Sequence, residues 1–72
     1  MSMKYELLFF VVDPATMIID HRRSRWTFDS LHDADAYAKD VMRRRMSTVI
    51  DRDNKRIDTR NIYRVEVEDL WH

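Results

Sequence analysis

The sequence predicts a two-layer α+β domain, in which an antiparallel sheet of three or four strands carries one helix packed on one face. Three observations predict this fold class: a first segment that is apolar on both faces of a strand, one later segment with helical periodicity, and a final segment that alternates again. With 72 residues the chain is one domain, 1–72. The expected order is strand, strand, helix, strand, with an extra short strand near residues 48–51.

The first strand, residues 4–12, divides its apolar side chains between both faces of the sheet, because strand side chains alternate. One face carries Tyr5, Leu7, Phe9 and Val11, and the other carries Leu8, Phe10 and Val12. One helix covers only one face of a sheet. We therefore expect this strand to be central and its second face to meet another molecule or a second copy of the chain. Which face meets the helix stays open.

A turn at Asp13 and Pro14 separates the first strand from the second, because proline fixes φ and aspartate bonds to the backbone beyond it. Residues 17–28 form the second strand of a hairpin, kinked near residues 20–23. Alternation within this strand places Trp26 and Phe28 on one face. The chain has no glycine, so we expect Asp, Asn or Ser at every tight turn.

The helix begins at a capping pattern, with Ser30 as N-cap and Asp33 three residues later; Asp29 is the alternative N-cap. Helical periodicity predicts an apolar stripe of Leu31, Ala34, Ala38, Val41 and Met42, with Met46 as its extension. Three arginines, Arg43, Arg44 and Arg45, complement the dipole near the helix end. We expect the helix to end between residues 46 and 50.

A polar loop and one strand complete the chain. Residues 51–55 begin like a calcium loop, but Lys55 occupies a ligand position and the turn glycine is missing, so a solvated turn is predicted. Residues 56–68 alternate as a strand with a bulge near Asn61. Trp71 is expected to pack over a core edge. The predicted core consists of Tyr5, Leu7, Phe9, Val11, Leu31, Ala34, Ala38, Val41, Met42, Val65 and Val67.

Composition limits the function classes. The absence of cysteine favours a reducing compartment, so a cytoplasmic protein is expected, and the first residues form neither a signal peptide nor a membrane span. The formal net charge of zero implies no general attraction to nucleic acid or membrane. The sequence has no glycine-rich phosphate loop or nucleophile elbow, and its histidines lack metal-site spacing. We expect no enzymatic activity, no cofactor and no metal.

Arginine supplies ten of the thirteen basic residues. This bias indicates either bidentate recognition of carboxylate or phosphate, or codon usage in a GC-rich genome. Residues 21–26 interleave cations with a tryptophan, which is typical of surfaces that contact phosphates and stack on bases. DNA or RNA binding through this basic hairpin is therefore the alternative function, although acidic residues are interleaved with the same clusters.

Two resemblances follow from these segments. The Asp13-Pro14-x-Thr16 turn, the basic strand, and the passage from Trp26-Thr27-Phe28-Asp29-Ser30 into an alanine-rich helix resemble the arm-type DNA-binding domains of phage integrases over about residues 5–42. That resemblance implies contact with DNA. In size, composition and element order the chain is similar to small phage-encoded inhibitors, including anti-CRISPR proteins. That resemblance implies occlusion of a host protein.

The sequence favours a non-enzymatic protein-binding module, with a protein partner and a homodimer as an option. The surplus of apolar strand residues over what one helix covers supports this hypothesis. An apolar anchor with a charged rim is the usual anatomy of such an interface. The predicted partner-binding residues are Leu8, Phe10, Val12, Arg22, Arg23, Arg25 and Trp26, with one of Ile18 or Ile19 joining the anchor.

Overall fold

The computed structural model describes residues 4–70, so the prediction for Trp71 lies outside the described residues. Its elements, in chain order, are β1 Tyr5–Val12, β2 Ile19–Phe28, α1 Leu31–Met42, β3 Thr48–Ile50, β4 Arg56–Asp58, a 3-10 turn at Thr59–Asn61, and β5 Ile62–Asp69. The predicted α+β class is confirmed, and so is the extra short strand, which is β3. The second strand begins at Ile19 rather than at residue 17.

The main sheet is antiparallel, with the strand order β2-β1-β5, so the first strand is central as predicted. Each edge strand departs from regular pairing once. The register with β2 shifts between Glu6 and Leu8, and the register with β5 shifts between Phe10 and Val11. A second, two-stranded sheet pairs β3 with β4 and places Val49 opposite Ile57.

The core lies between α1 and the Tyr5 face of β1, which decides the question that the sequence left open. Leu7 and Phe9 are completely buried. The helix packs against them with Ala34, Ala38 and Val41, and the sequence prediction missed the contributions of Val49, Ile57 and Ile62. Those last residues come from very short strands and a bulged strand end, where alternation gives little signal.

The predicted helical stripe is wrong at its two ends. Leu31 is 54% exposed and Met42 is 37% exposed. The helix ends at Met42, earlier than predicted, because Arg44 adopts a left-handed conformation with φ 59°. The backbone N–H of Arg45 donates to Asp40 O at 3.1 Å, and that of Arg44 donates to Val41 O at 3.0 Å, which is a Schellman ending.

Arg44 also shows that tight turns in this chain use residue types other than the predicted Asp, Asn and Ser. Left-handed backbone occurs at Met17, Arg44 and Asn54, and only the last is a residue type that the composition predicts for such turns. The Arg44 side chain offsets its backbone strain, since its guanidinium donates to Met42 O at 3.0 Å and to Ile62 O at 2.8 Å. The arginine thus caps the helix and ties it to β5.

Residues 56–68 do not form one strand, which corrects the sequence prediction. Ile57 pairs with Val49 in the second sheet, and the 3-10 turn then carries the chain into β5. Thr59 in this turn is buried, and its hydroxyl donates to Met46 O at 2.8 Å. Asp58 caps the turn, and hydrogen bonds from Arg60 lower the pKa of its carboxyl group.

Candidate functional site

The sheet face that points away from α1 carries the predicted anchors Leu8, Phe10 and Val12, and all three are half-buried. Their cover comes from the chain itself. Leu8 lies opposite Arg23 of β2 on one side and Glu66 of β5 on the other. Long charged side chains cover apolar surface with their stems while their heads stay in water. This face therefore exposes less apolar surface than the count of apolar residues predicts.

Phe10 is enclosed by other rings and a guanidinium. Its ring centroid lies 4.5 Å from that of His21 and 5.9 Å from that of Tyr63. The guanidinium of Arg64 lies 5.7 Å from the centre of the Phe10 ring, a cation–π distance. Cross-strand neighbours of this kind stabilise a sheet, so Phe10 has a structural role within the monomer.

The predicted arginine patch is largely engaged in ion pairs within the chain. Arg23 donates to Glu6 Oε1 at 3.0 Å and to Glu68 Oε2 at 2.6 Å. The hydrogen bonds that the Arg23 guanidinium donates to Glu68 and Glu6 raise its pKa. Glu6 is 1% exposed, and its second oxygen accepts a hydrogen bond from Arg52. Arg23 and Arg52 therefore neutralise a buried carboxylate.

Arg22 serves a second buried acid. It contacts Asp20 Oδ2 and Asp51 Oδ2, both at 2.9 Å. Asp51 is 1% exposed, and its other oxygen accepts from the backbone N–H of Lys55 at 2.8 Å. The sequence predicts a solvated turn here, but a buried aspartate holds the loop. It packs on β2, where the backbone N–H of Arg52 donates to the carbonyl of Arg23 at 2.9 Å.

Arg25 and Trp26 remain on the surface. Arg25 donates to Asn54 and lies 5.4 Å from the Trp26 ring centre, and Trp26 is 58% exposed. Phe28, predicted to share a face with Trp26, instead joins the core and contacts Tyr37 at 5.5 Å between ring centroids. The register shift between β1 and β2 separates the two side chains, since extra residues of β2 span the interval opposite Leu7.

The hairpin tip between β1 and β2 carries the largest run of exposed apolar side chains in the described chain. Met17 is 71% exposed, Ile18 64% and Ile19 52%. The tip is nevertheless well held, because Met17 N–H donates to Asp13 O at 2.7 Å and Asp13 N–H donates to Ile18 O at 3.0 Å. The sequence prediction included one isoleucine here as an accessory and missed Met17. Three consecutive apolar residues directly after a turn are the signal that it overlooked.

A groove of about 460 Å³ runs beside the hairpin tip. Its apolar lining includes Val11, Ile18 and Ile57, and Asp20 and Arg56 are among its charged residues. Within residues 4–70, the Arg56 guanidinium makes no described ion pair or hydrogen bond. The tip and this groove form one surface, which we call the tip surface. It consists of residues 17–19 and the groove residues named above. It combines apolar contact area with an unpaired cation.

Other site types find no support in the described residues. Residues 4–70 hold no group of three or more His, Asp or Glu side chains that is arranged to bind a metal ion. No helix among them is long and apolar enough to span a membrane. Comparison with protein-family models, with curated proteins and with solved structures found no match.

Proposed function

We propose that this domain is a non-enzymatic protein-binding module that docks the tip surface into an apolar pocket of a partner protein. The observation that carries the proposal is the exposure of Met17, Ile18 and Ile19 on an ordered turn. Adjacent exposed apolar side chains beside polar residues are characteristic of interaction sites. Arg56 and Asp20 would supply the polar rim around this anchor.

The proposed anchor differs from the one that the sequence favours. Leu8, Phe10 and Val12 are half-buried under side chains of the neighbouring strands, whereas the tip has no such cover. Arg22 and Arg23 hold buried acids, so their removal would alter the fold together with any binding. Trp26, with Arg25 beside it, remains a candidate peripheral contact because its ring is exposed.

We further propose that the partner is a host protein and that binding occludes it, as the likeness to small phage-encoded inhibitors implies. Small size, the lack of cysteine and the α+β element order support this proposal. The proposed setting is the cytoplasm, where a chain without disulfides is common.

The test is affinity capture from the native host with tagged wild type, followed by mass spectrometry and a binding titration of the captured protein. Ile18→Ser combined with Ile19→Ser should weaken binding by about tenfold or more, since two buried isoleucines would be lost from the interface. Leu31→Ser is the matched control, because Leu31 is 54% exposed but lies on the helix. Equal affinity of the tip variant and the wild type would reject the proposal.

Nucleic-acid binding is the second candidate, favoured by the cluster of Phe10, His21 and Tyr63 beneath Arg64 on the open sheet face. Aromatic rings with nearby cations form stacking platforms for single strands. Glu66, which pairs with Arg64 at 2.6 Å, lowers the positive charge of that platform. Fluorescence anisotropy with labelled DNA and RNA discriminates, since this candidate requires binding that weakens steeply with salt.

A further inference from the structure

Between Tyr63 and Glu68, the outer edge of β5 has no backbone partner among the described residues. β5 is eight residues long and pairs only with β1. Arg44 donates to the carbonyl of Ile62 at 2.8 Å, and no hydrogen bond described for residues 4–70 reaches the outer edge between Tyr63 and Glu68. Such an edge is a template for a further strand.

The opposite edge of the sheet differs, because the loop between β3 and β4 covers part of it. Asp51 forms a β-bridge with Ser24 of β2, and the backbone N–H of Arg52 donates to Arg23 O at 2.9 Å. A sheet that grows through β5 would therefore stop at two copies, since its remaining edges carry this loop. This asymmetry favours a closed dimer over a fibre.

The side chains along β5 carry a charge pattern that complements itself. Arg64, Glu66 and Glu68 follow one another on the open face of the sheet, opposite Phe10, Leu8 and Glu6 of β1. In an antiparallel pair, directly opposite residues share a face and interact, and like charges there destabilise the pair. The pattern therefore discriminates between the registers in which two copies of β5 can pair.

One register brings residues of opposite charge together across the two copies. With Val65 opposite Val65 of the second copy, Arg64 lies opposite Glu66 of the second copy, and the two-fold axis repeats that pair. A two-fold axis at Arg64 or at Glu66 places that residue opposite the same residue of the second copy, so two like charges meet. An axis at Val67 places Glu66 opposite Glu68. Only the register centred on Val65 pairs opposite charges without a like pair.

We propose that a second copy of this chain pairs with the outer edge of β5 in the register centred on Val65, forming a six-stranded antiparallel sheet. The two copies would add backbone hydrogen bonds along the open edges, and Arg64 and Glu66, which pair with each other within one chain at 2.6 Å, would also pair across the two-fold axis. A domain of 72 residues has a small core of its own, so pairing of this kind adds stability. The hairpin tips would lie at opposite ends of the sheet and stay accessible, so this inference is independent of the proposed function.

Charge exchange tests the dimer. Analytical ultracentrifugation over a wide range of protein concentration should show a wild-type dimer. Arg64→Glu alone and Glu66→Arg alone should each weaken dimerisation by about tenfold or more, because both copies then present like charges. An equimolar mixture of the two variants should dimerise again, and so should the Arg64→Glu, Glu66→Arg double variant. Recovery in the mixture separates pairing across the interface from any damage within one copy.

A cysteine at the two-fold axis tests the register, and the chain has no native cysteine to interfere. Val65→Cys should cross-link two copies under mild oxidation, because directly opposite Cα atoms lie within disulfide range. Val67→Cys is the matched control, since in this register its two copies are about 13 Å apart. The proposal would be overturned by a monomeric wild type, by dimerisation that neither charge variant weakens, or by faster cross-linking at position 67.

Discussion

Glu6 links the main sheet to the loop between the two strands of the second sheet. It lies on the central strand, is 1% exposed, and accepts hydrogen bonds from Arg23 of β2 and from Arg52 of the loop between β3 and β4. A buried carboxylate is costly unless it is paired and hydrogen-bonded. Both arginines are partly exposed, so they cover Glu6 on the sheet face that points away from α1 and shield it from water.

We expect Glu6→Gln to lower the free energy of unfolding by about 1 to 3 kcal/mol, because the amide keeps only one acceptor oxygen and turns an NH2 donor toward the second arginine at a buried position. Chemical denaturation monitored by circular dichroism measures the change. Glu68→Gln is the matched control. It removes one contact to the same Arg23 from a side chain that is 34% exposed, so its cost should stay below about 1 kcal/mol. Equal costs for the two variants would contradict this account of Glu6.

At the scale of single elements, the β1–β2 hairpin combines strain with exposed apolar surface. Met17 has φ 59° and is 71% exposed, so its backbone is strained and its side chain buries little surface. Asn54, also left-handed at φ 63°, is the residue type that such a conformation favours. Strained backbone of this kind clusters at functional sites. The hairpin thus combines a strained methionine with exposed apolar surface.

We expect Met17→Asn to raise the free energy of unfolding by about 0.5 to 1 kcal/mol, because asparagine tolerates left-handed backbone better than methionine. The same change should weaken partner binding under the proposed function, since it removes an apolar anchor. Thermal and chemical unfolding, together with a titration of the captured partner, give both readouts. Ile18→Asn is the control: it removes a comparable anchor from a residue without positive φ and should bring no gain in stability. A loss of stability in Met17→Asn would contradict the strain argument.

At the scale of the whole molecule, the two layers meet through aromatic contact as well as through the aliphatic core. Tyr37 of α1 packs against Phe28 of β2, and burial raises the pKa of Tyr37 above the ordinary value of 10.0. The folded state therefore favours the neutral phenol. Its contribution to stability is complete below the pKa of the unfolded chain and is lost as the pH rises from there through the folded value.

We expect Tyr37→Phe to unfold at a higher alkaline pH than the wild type, because phenylalanine has no proton to lose above about pH 10. At neutral pH the two proteins should have similar stability, since the Tyr37 hydroxyl makes no described hydrogen bond within residues 4–70. An alkaline titration followed by circular dichroism measures the midpoint. Tyr63→Phe, at a ring that is 46% exposed, is the control and should follow the wild type. An unchanged midpoint in Tyr37→Phe would contradict the argument.

Local pattern alone predicted the parts of this protein that depend on near neighbours in the chain. Side-chain alternation identified β1 as the central strand, and the Ser30 cap located the start of α1, where its hydroxyl accepts from Asp33 N–H at 3.2 Å. Helical periodicity identified the buried positions Ala34, Ala38 and Val41. Each of these signals arises within a few residues and survives in the folded state.

Tertiary structure alone decided which residues pair with the charged side chains and which apolar residues stay exposed. Glu6 pairs with Arg52, 46 residues away, and Asp51 pairs with Arg22, 29 residues away, so no local pattern indicates either contact. Those pairs join Arg22 and Arg23 of the predicted partner-binding set to buried acids, and side chains of the neighbouring strands partly cover Leu8, Phe10 and Val12. The exposure of Met17, Ile18 and Ile19 is likewise seen only in the folded structure. Burial is a property of the packed molecule, because each side chain is covered by residues that are distant in sequence.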